Sequence, residues 1–119
     1  MRGVPRAQRW GACAIVVAVA GCAPVPEVDP LCEDAPTVTW ETFGQGLLVE
    51  DCQPCHASTA PDRHGAPDEV IFDTHADAIR WRDDILRVAT GDTPSMPPAL
   101  DLGEASRVRL ALWLTCYEE

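Results

Sequence analysis

The pentapeptide Cys52-Gln53-Pro54-Cys55-His56 (CQPCH) lies near the middle of a chain of 119 residues. Its two thiols are three residues apart, and an imidazole follows the second thiol directly. Two thiols with this spacing on one turn reach the two vinyl groups on one side of a porphyrin, and the next imidazole then faces the iron. The motif therefore predicts one covalently attached haem c, held by Cys52 and Cys55, with His56 as an iron ligand.

Two other kinds of chemistry share the CxxC spacing. A thiol redox pair requires a strand before the motif and a βαβ context, and neither is predicted here. A structural zinc site would combine both cysteines with two of His56, His64 and His75. Zinc sites usually repeat a paired ligand knuckle, and the sequence has no second pair. Haem is the leading prediction, with zinc as the alternative.

Met96 is the predicted second axial ligand of the iron. It stands in the stretch SMPP (residues 95–98), where the prolines stiffen the chain and can hold a thioether in place with little loss of freedom. The other methionine is the first residue of the chain. The alternative is that Met96 only fills a gap in the core. His64 and His75 are the remaining candidates for this ligand, and both are predicted instead to lie at the surface.

Three helices are predicted from the spacing of apolar residues, over residues 39–51, 74–89 and 101–116. Thr39, Thr74 and Asp101 are the predicted N-caps, and Gly91 is a predicted stop signal. Residues 57–72 are rich in loop-forming types and are predicted to be mostly loop. No segment alternates as a half-buried strand does. The predicted fold is therefore all-α, with three main helices around one haem.

The N-terminus has the pattern of an export signal. Residues 1–10 contain three arginines and no acid, and residues 11–20 (GACAIVVAVA) form an apolar run too short to span a bilayer. The run ends in VAGC (residues 19–22), which resembles the lipobox of bacterial lipoproteins. In that family cleavage precedes the cysteine, which is then acylated. The resemblance implies a signal peptide over residues 1–21 and a lipid on Cys22, on the periplasmic side of a bacterial membrane.

The alternative is ordinary signal cleavage after Ala23, which would place a proline directly after the cut. Residues 22–38 are rich in prolines and acids and are predicted to be a stiff, extended tether from the membrane. Residues 39–119 form the predicted haem domain.

Cys32 and Cys116 remain once the leader, the lipid and the pentapeptide have taken the other four of the six cysteines. In an oxidising compartment two such thiols most simply pair with each other, which predicts a disulfide. The alternative is two free thiols.

The charge of the predicted mature chain is strongly negative. Cleavage before Cys22 leaves six arginines against nineteen acidic residues, a formal charge of −13. Such a chain is not expected to bind nucleic acid, whose affinity depends on basic groups. It favours a redox partner with a basic docking surface. Asp83-Asp84 and Glu118-Glu119 are interpreted as solvated faces, and no separate nucleophile or acid–base group indicates an enzyme.

From the pentapeptide to the last helix, the order of parts resembles the class I cytochromes c over about residues 39–115. The resemblance implies a small helical fold and one-electron transfer, with His56 and Met96 as axial ligands. It also implies that Gly44 or Gly46, with Phe43, meets Leu110 or Trp113 where the first and last helices cross. The chain has no lysine, so docking through lysine rings does not transfer. The alternatives are a haem-based sensor of small ligands and a zinc- or disulfide-stabilised interaction domain.

Overall fold

The structure is a computed structural model that describes residues 21, 23–24, 27–98 and 100–117. The predicted leader up to residue 20 and the predicted lipid site Cys22 lie outside these residues. Within the described ranges the regular structure is entirely helical, as predicted, without a β-strand. None of the helices in this part of the chain is long and apolar enough to cross a membrane.

The first helical segment covers residues 40 to 56 in four consecutive parts, and the last part begins anew at Gln53 after its N-cap Cys52, which has φ −111°. Its successive parts are Trp40–Gly44, Gln45–Leu47, Leu48–Cys52 and Gln53–His56. Thr39 caps it as predicted, because its hydroxyl accepts a hydrogen bond from the Thr42 amide at 3.3 Å. The Thr42 hydroxyl accepts in return from the Thr39 amide at 3.1 Å. The segment extends past the predicted end at residue 51 and carries the pentapeptide at its C-terminal end.

Two parts of this segment, Trp40–Gly44 and Leu48–Cys52, have π-helical hydrogen bonding. After the second of them, the Gln53 amide donates to the Leu48 carbonyl, five residues earlier. A π turn widens the helix, and such turns are frequent at functional sites. This one leads directly into the pentapeptide.

The middle of the chain forms two helices, His75–Arg80 and Arg82–Ala89, where one helix over residues 74–89 was predicted. Trp81 separates them with φ −98° and ψ 11°, in the sparsely populated bridge region of the backbone map. Its amide donates to the carbonyls of both Asp77 and Ile79, so the α-helical bond to Asp77 is shared with a tighter one at this residue.

Both ends of this helix pair lie where the sequence predicts them. The Asp77 amide donates to the Thr74 hydroxyl at 3.2 Å, and the Thr74 amide donates to the Asp77 carboxylate at 2.9 Å. These two bonds form the predicted capping box. Gly91, with φ 79°, follows the last turn as a helix-terminating glycine.

The last helix spans Glu104–Cys116, and the predicted cap at Asp101 is wrong. Gly103 is the N-cap, with φ 73°. The Asp101 carboxylate instead accepts the Gly103 amide at 3.0 Å and so forms a local turn two residues before the N-cap. The helix ends at Cys116, as predicted.

The first and last helical segments are in direct contact at Gly44 and Trp113. A Cβ atom at residue 44 would lie 2.8 Å from the Trp113 ring, so the close approach requires a glycine there. At Gly46 nothing lies within 4 Å of such an atom. The expected contact is therefore made by Gly44 and not by Gly46. Trp113, Leu110 and nine other apolar side chains form the core: Val38, Leu47, Leu48, Phe72, Ala78, Ile85, Ala89, Leu112 and Leu114.

The two ends of the described domain are joined covalently. Cys32, in the short 3₁₀ helix Pro30–Cys32, is bonded to Cys116 with a Cα–Cα distance of 5.6 Å. The Tyr117 hydroxyl also donates to the Ala35 carbonyl at 3.1 Å. The C-terminal end of the last helix is thus fixed to the segment that leads into the first.

Candidate functional site

The pentapeptide occupies the end of the first helical segment. Pro54 lies in the first turn of Gln53–His56, where a missing amide hydrogen does no harm. Ala57, with φ −84° and ψ 149°, is extended and ends the segment directly after His56. Cys52 and Cys55 are half-buried, and each is a free thiol. The chain therefore places both thiols and the imidazole on consecutive turns beside the loop that follows.

The imidazole of His56 is held in one orientation. Its Nδ1 lies 3.0 Å from the Val70 carbonyl oxygen, and its ring packs against Phe72 with centroids 4.8 Å apart. A carbonyl oxygen can only accept, so Nδ1 carries the proton in this bond. In the neutral ring Nε2 then has the free lone pair, which is the form that binds a metal.

Two further hydrogen bonds hold the pentapeptide against the chain near residue 72. The Gln53 side-chain amide donates to the Phe72 carbonyl at 2.8 Å, and the Phe72 amide donates to the His56 carbonyl at 2.8 Å. Together with the bond to Val70, they clamp the last helical turn to the end of the loop over residues 57–72.

Arg63 connects the two ends of that loop, and no motif or spacing in the sequence predicted this role. Its guanidinium donates to main-chain carbonyls at both ends of the loop, and its side chain is only 18% exposed. The acceptors and distances are Ala57 at 2.8 Å, Ala66 at 3.4 Å, Pro67 at 2.7 Å and Val70 at 3.0 Å. The available signal was an arginine in a loop-forming stretch with few large apolar residues.

Cys52 is a neutral thiol in this setting. Burial raises its pKa to about 12, and the negative charges of Asp51 and of an ionised Cys55 act in the same direction. The thiolate is the form that binds a metal ion and that attacks a disulfide. A protonated thiol is the poorer ligand and the poorer nucleophile. In the absence of a metal or haem, Cys52 is therefore a poor nucleophile for disulfide exchange near neutral pH.

A cavity of about 420 Å³ lies beside the pentapeptide, within the size range of ligand and cofactor pockets. Cys52, Cys55 and His56 line one side. The helix Arg82–Ala89 contributes Ile85, Val88 and Ala89, and most of the remaining lining is also apolar: Ala66, Pro67, Val70, Phe72, Trp81, Met96, Pro97, Pro98 and Leu102. All four predicted haem-site residues therefore border one apolar space.

Met96 is positioned by its backbone. The amides of Ser95 and Met96 donate to the Val88 carbonyl at 2.8 Å and 2.9 Å. From the last helix, Arg107 donates to the Met96 carbonyl at 3.2 Å and to the Ala89 carbonyl at 2.7 Å. The loop is thus tied to two helices, while Met96 is 38% exposed at the edge of the cavity.

The other two histidines have different surroundings. His64 is exposed, as predicted, and its Nδ1 lies 3.6 Å from the Asp62 carboxylate. His75 is not a simple surface residue, because it stacks on Trp40 with centroids 5.0 Å apart and lies 5.9 Å from the Trp113 ring. Its Nε2 is buried without a hydrogen-bond partner. Among the described residues, no three His, Cys, Asp or Glu side chains are grouped as metal ligands.

Comparisons of the chain with models of protein families, with curated proteins and with solved structures find no match.

Proposed function

We propose that the chain is a c-type cytochrome that carries single electrons, with one haem attached through Cys52 and Cys55. The observation that carries the proposal is the hydrogen bond from His56 Nδ1 to the Val70 carbonyl at 3.0 Å. It leaves Nε2 with a free lone pair beside two unpaired thiols and an apolar cavity. This donor set fits a c-type haem, which when bound supplies an iron that cycles between the ferric and ferrous states.

Each residue of the pentapeptide has a separate role in this proposal. Cys52 and Cys55 each supply one sulfur for a thioether bond. His56 supplies Nε2 as an axial ligand, and its bond to Val70 fixes the tautomer and makes the ring a better donor. Ile85, Val88 and Ala89 of the helix Arg82–Ala89 would exclude water from a bound haem, which would favour the less charged ferrous state.

Met96 is proposed as the second axial ligand. It borders the same cavity as His56, and its loop is fixed by hydrogen bonds to Val88 and Arg107. A thioether ligand raises the reduction potential relative to a second histidine, and it leaves no open position for a substrate. The proposed activity is therefore electron transfer and not catalysis.

A cytochrome c-like arrangement of three main helices is part of the same proposal. The contact between Gly44 and the Trp113 ring supports it, because it joins the first and last helical segments. The order of pentapeptide, helix pair, methionine loop and last helix along the chain supports it further.

We also propose that the protein works on the periplasmic side of a bacterial membrane, anchored by a lipid on Cys22. The basic start, the short apolar run and the sequence VAGC support this proposal. Its redox partner is proposed to be a protein with a basic docking surface, since the predicted mature chain is strongly acidic.

A second candidate function is a haem-based sensor of small ligands. The observation that favours it is the 38% exposure of Met96, which lies at the rim of the cavity and not deep within it. In that case the methionine would not bind the iron, and a small molecule would take the open position.

Mass spectrometry and absorption spectra of the mature protein test the main proposal. Expressed in a bacterium that matures c-type cytochromes, the protein should carry the added masses of one haem and of the lipid, and it should show c-type bands when reduced. A mass equal to that of the haem-free chain would contradict the haem proposal and favour a disulfide-held interaction domain.

Two substitutions at the axial positions separate carrier from sensor. Met96→Ala should abolish the far-red charge-transfer band of the ferric protein and open a site for carbon monoxide, if the protein is a carrier. Wild-type protein that already lacks the band and binds carbon monoxide would support the sensor. His56→Ala should prevent a normal c-type spectrum, whereas His64→Ala, the matched control at an exposed histidine of the cavity rim, should leave it unchanged.

A further inference from the structure

Arg63 is linked to His56 through a shared acceptor. The Val70 carbonyl oxygen accepts one hydrogen bond from His56 Nδ1 at 3.0 Å and a second from the Arg63 guanidinium at 3.0 Å. A carbonyl oxygen has two lone pairs and can serve both donors. They draw on the same electron density, however, so each weakens the other.

Four hydrogen bonds to main-chain carbonyls fix the position of the guanidinium. Arg63 also donates to the carbonyls of Ala57, Ala66 and Pro67, and its side chain is 18% exposed. The nearby Asp68 carboxylate lies 3.8 Å away and is fully exposed, so it neutralises the guanidinium only weakly. A largely buried positive charge is therefore held against the atom that supports the imidazole.

We propose that Arg63 is a positioning residue that limits the donor strength of His56 toward the haem iron and thereby raises the reduction potential. The inference rests on the proposed function. A strong bond from Nδ1–H to a carbonyl gives the imidazole partial imidazolate character, which favours the ferric state. By competing for the Val70 carbonyl, Arg63 weakens that bond and favours the ferrous state.

Loss of the positive charge alone also lowers a reduction potential, so a control is needed. Arg87 is suitable because it borders the same cavity, while its guanidinium donates to the Asp84 carboxylate at 2.7 Å and not to the loop. Removal of Arg87 takes away the same charge without changing the acceptor of His56. Arg63→Lys provides the opposite control, since it keeps the charge but loses the planar fork that reaches several carbonyls.

The test compares the wild type with R63A, R63K and R87A as mature haem proteins. Reduction potentials are measured by spectroelectrochemistry, and the His56 Nδ1–H resonance is measured by NMR in the ferrous state. We expect R63A to lower the equilibrium constant for reduction about tenfold, which is about 59 mV for one electron. R87A should lower it less than about threefold, since an exposed charge is well screened. The Nδ1–H resonance should move downfield in R63A and R63K and stay in place in R87A.

Three results would overturn the inference. A decreased potential in R63A with an unmoved Nδ1–H resonance would show a charge effect only. A wild-type potential and resonance in R63K would show that the fork is not needed. An increased potential in R63A, with an upfield Nδ1–H resonance, would show that Arg63 supports the bond instead of competing with it. If R63A does not fold, R63K and R87A decide by the same criteria. Failure of the proposed function is distinct, because the wild type itself would then lack the haem mass.

Discussion

The side chains around His56 are held by main-chain carbonyl oxygens and not by acidic side chains. His56 donates to Val70, Gln53 donates to Phe72, and Arg63 donates to the loop between them. Carbonyl acceptors do not ionise, so these bonds persist through the pH range in which Asp and Glu titrate. The orientation of the imidazole is therefore expected to be independent of pH in that range.

The Cys52 thiol provides a prediction for the haem-free protein. Because its pKa is raised to about 12, almost none of it is thiolate near neutral pH, and it should be alkylated by iodoacetamide much more slowly than an ordinary cysteine. The rate should rise steeply only as the pH approaches 12. Mass spectrometry of peptides from a strain without haem attachment measures it, with the guanidinium-unfolded chain as the control. Equal rates in folded and unfolded protein at neutral pH would contradict the prediction.

Gly44 and Gly46 provide a matched pair of substitutions. In Gly44→Ala the new methyl group would lie 2.8 Å from the Trp113 ring, and we expect a loss of about 1–3 kcal/mol in the free energy of unfolding. Gly46→Ala has open space and should stabilise the helix by about 0.5–1 kcal/mol. Urea denaturation followed by tryptophan fluorescence measures both. The same sign for both substitutions would argue against the close contact.

The sequence predicts a haem site formed by the pentapeptide and Met96, but it does not predict the hydrogen bonds that hold these residues in place. Cys52, Cys55 and His56 share a site because they are neighbours in the chain, which a motif captures. Met96 borders the same cavity as the pentapeptide, and its role as an iron ligand stays a prediction. Val70 and Arg63 act through a main-chain carbonyl, and any residue type supplies such an acceptor. No residue pattern could have identified that interaction.

At the scale of elements, the helices follow their local sequence signals except where the backbone departs from regular geometry. The sequence was sufficient to predict the caps at Thr39 and Thr74 and the helix end at Gly91, because each depends on residues close to it in the chain. The break at Trp81 and the cap at Gly103 depend on dihedral angles that the apolar spacing does not encode. The first segment continued to residue 56 because Pro54 lies in a first turn, where proline is compatible with a helix.

Asp73 connects the loop to the helix pair, and its titration should make the stability of the fold decrease at acidic pH. Hydrogen bonds from the Ser58 side chain and amide, the latter at 2.9 Å, lower the pKa of Asp73 below its ordinary value of 3.8. A lowered pKa in the folded state means that this contribution to stability is present above about pH 5 and is lost as the pH falls through the folded-state pKa.

Asp73→Asn should therefore reduce the difference in unfolding free energy between neutral and acidic pH. Asp92→Asn removes an equal charge from an exposed position and serves as the control. Denaturant titrations over a pH series provide the measurement. An unchanged pH dependence in Asp73→Asn would show that the Ser58 contacts do not stabilise the ionised form.

At the scale of the whole molecule, the disulfide is the main link between distant parts of the chain. Cys32 and Cys116 are 84 residues apart in sequence, and the chain-entropy estimate for so long a loop is about 4–5 kcal/mol. We expect the double substitution Cys32→Ser, Cys116→Ser to lower the free energy of unfolding by up to that amount, because it frees both ends in the unfolded state. Haem content should be retained, since neither cysteine borders the cavity.

Thermal unfolding with and without reductant measures this effect. Wild-type protein should lose stability on reduction, while the double variant should be insensitive to reductant. A Tm that does not change in either case would contradict the predicted role of the disulfide.

The hydrogen bond between His56 and Val70 spans only fourteen residues, and this short separation has a consequence in time. Closing a loop of about ten residues takes on the order of 10–100 ns, far less than oxidation of a disulfide, which takes seconds or longer. Every hydrogen bond described for Gln53 and His56 lies within residues 48–72. A chain that emerges from its N-terminus can therefore orient the imidazole before the Met96 loop or the last helix has been released. The contacts that hold the imidazole are thus local in the chain, whereas the Met96 loop is held by Val88 and Arg107, which lie further along it.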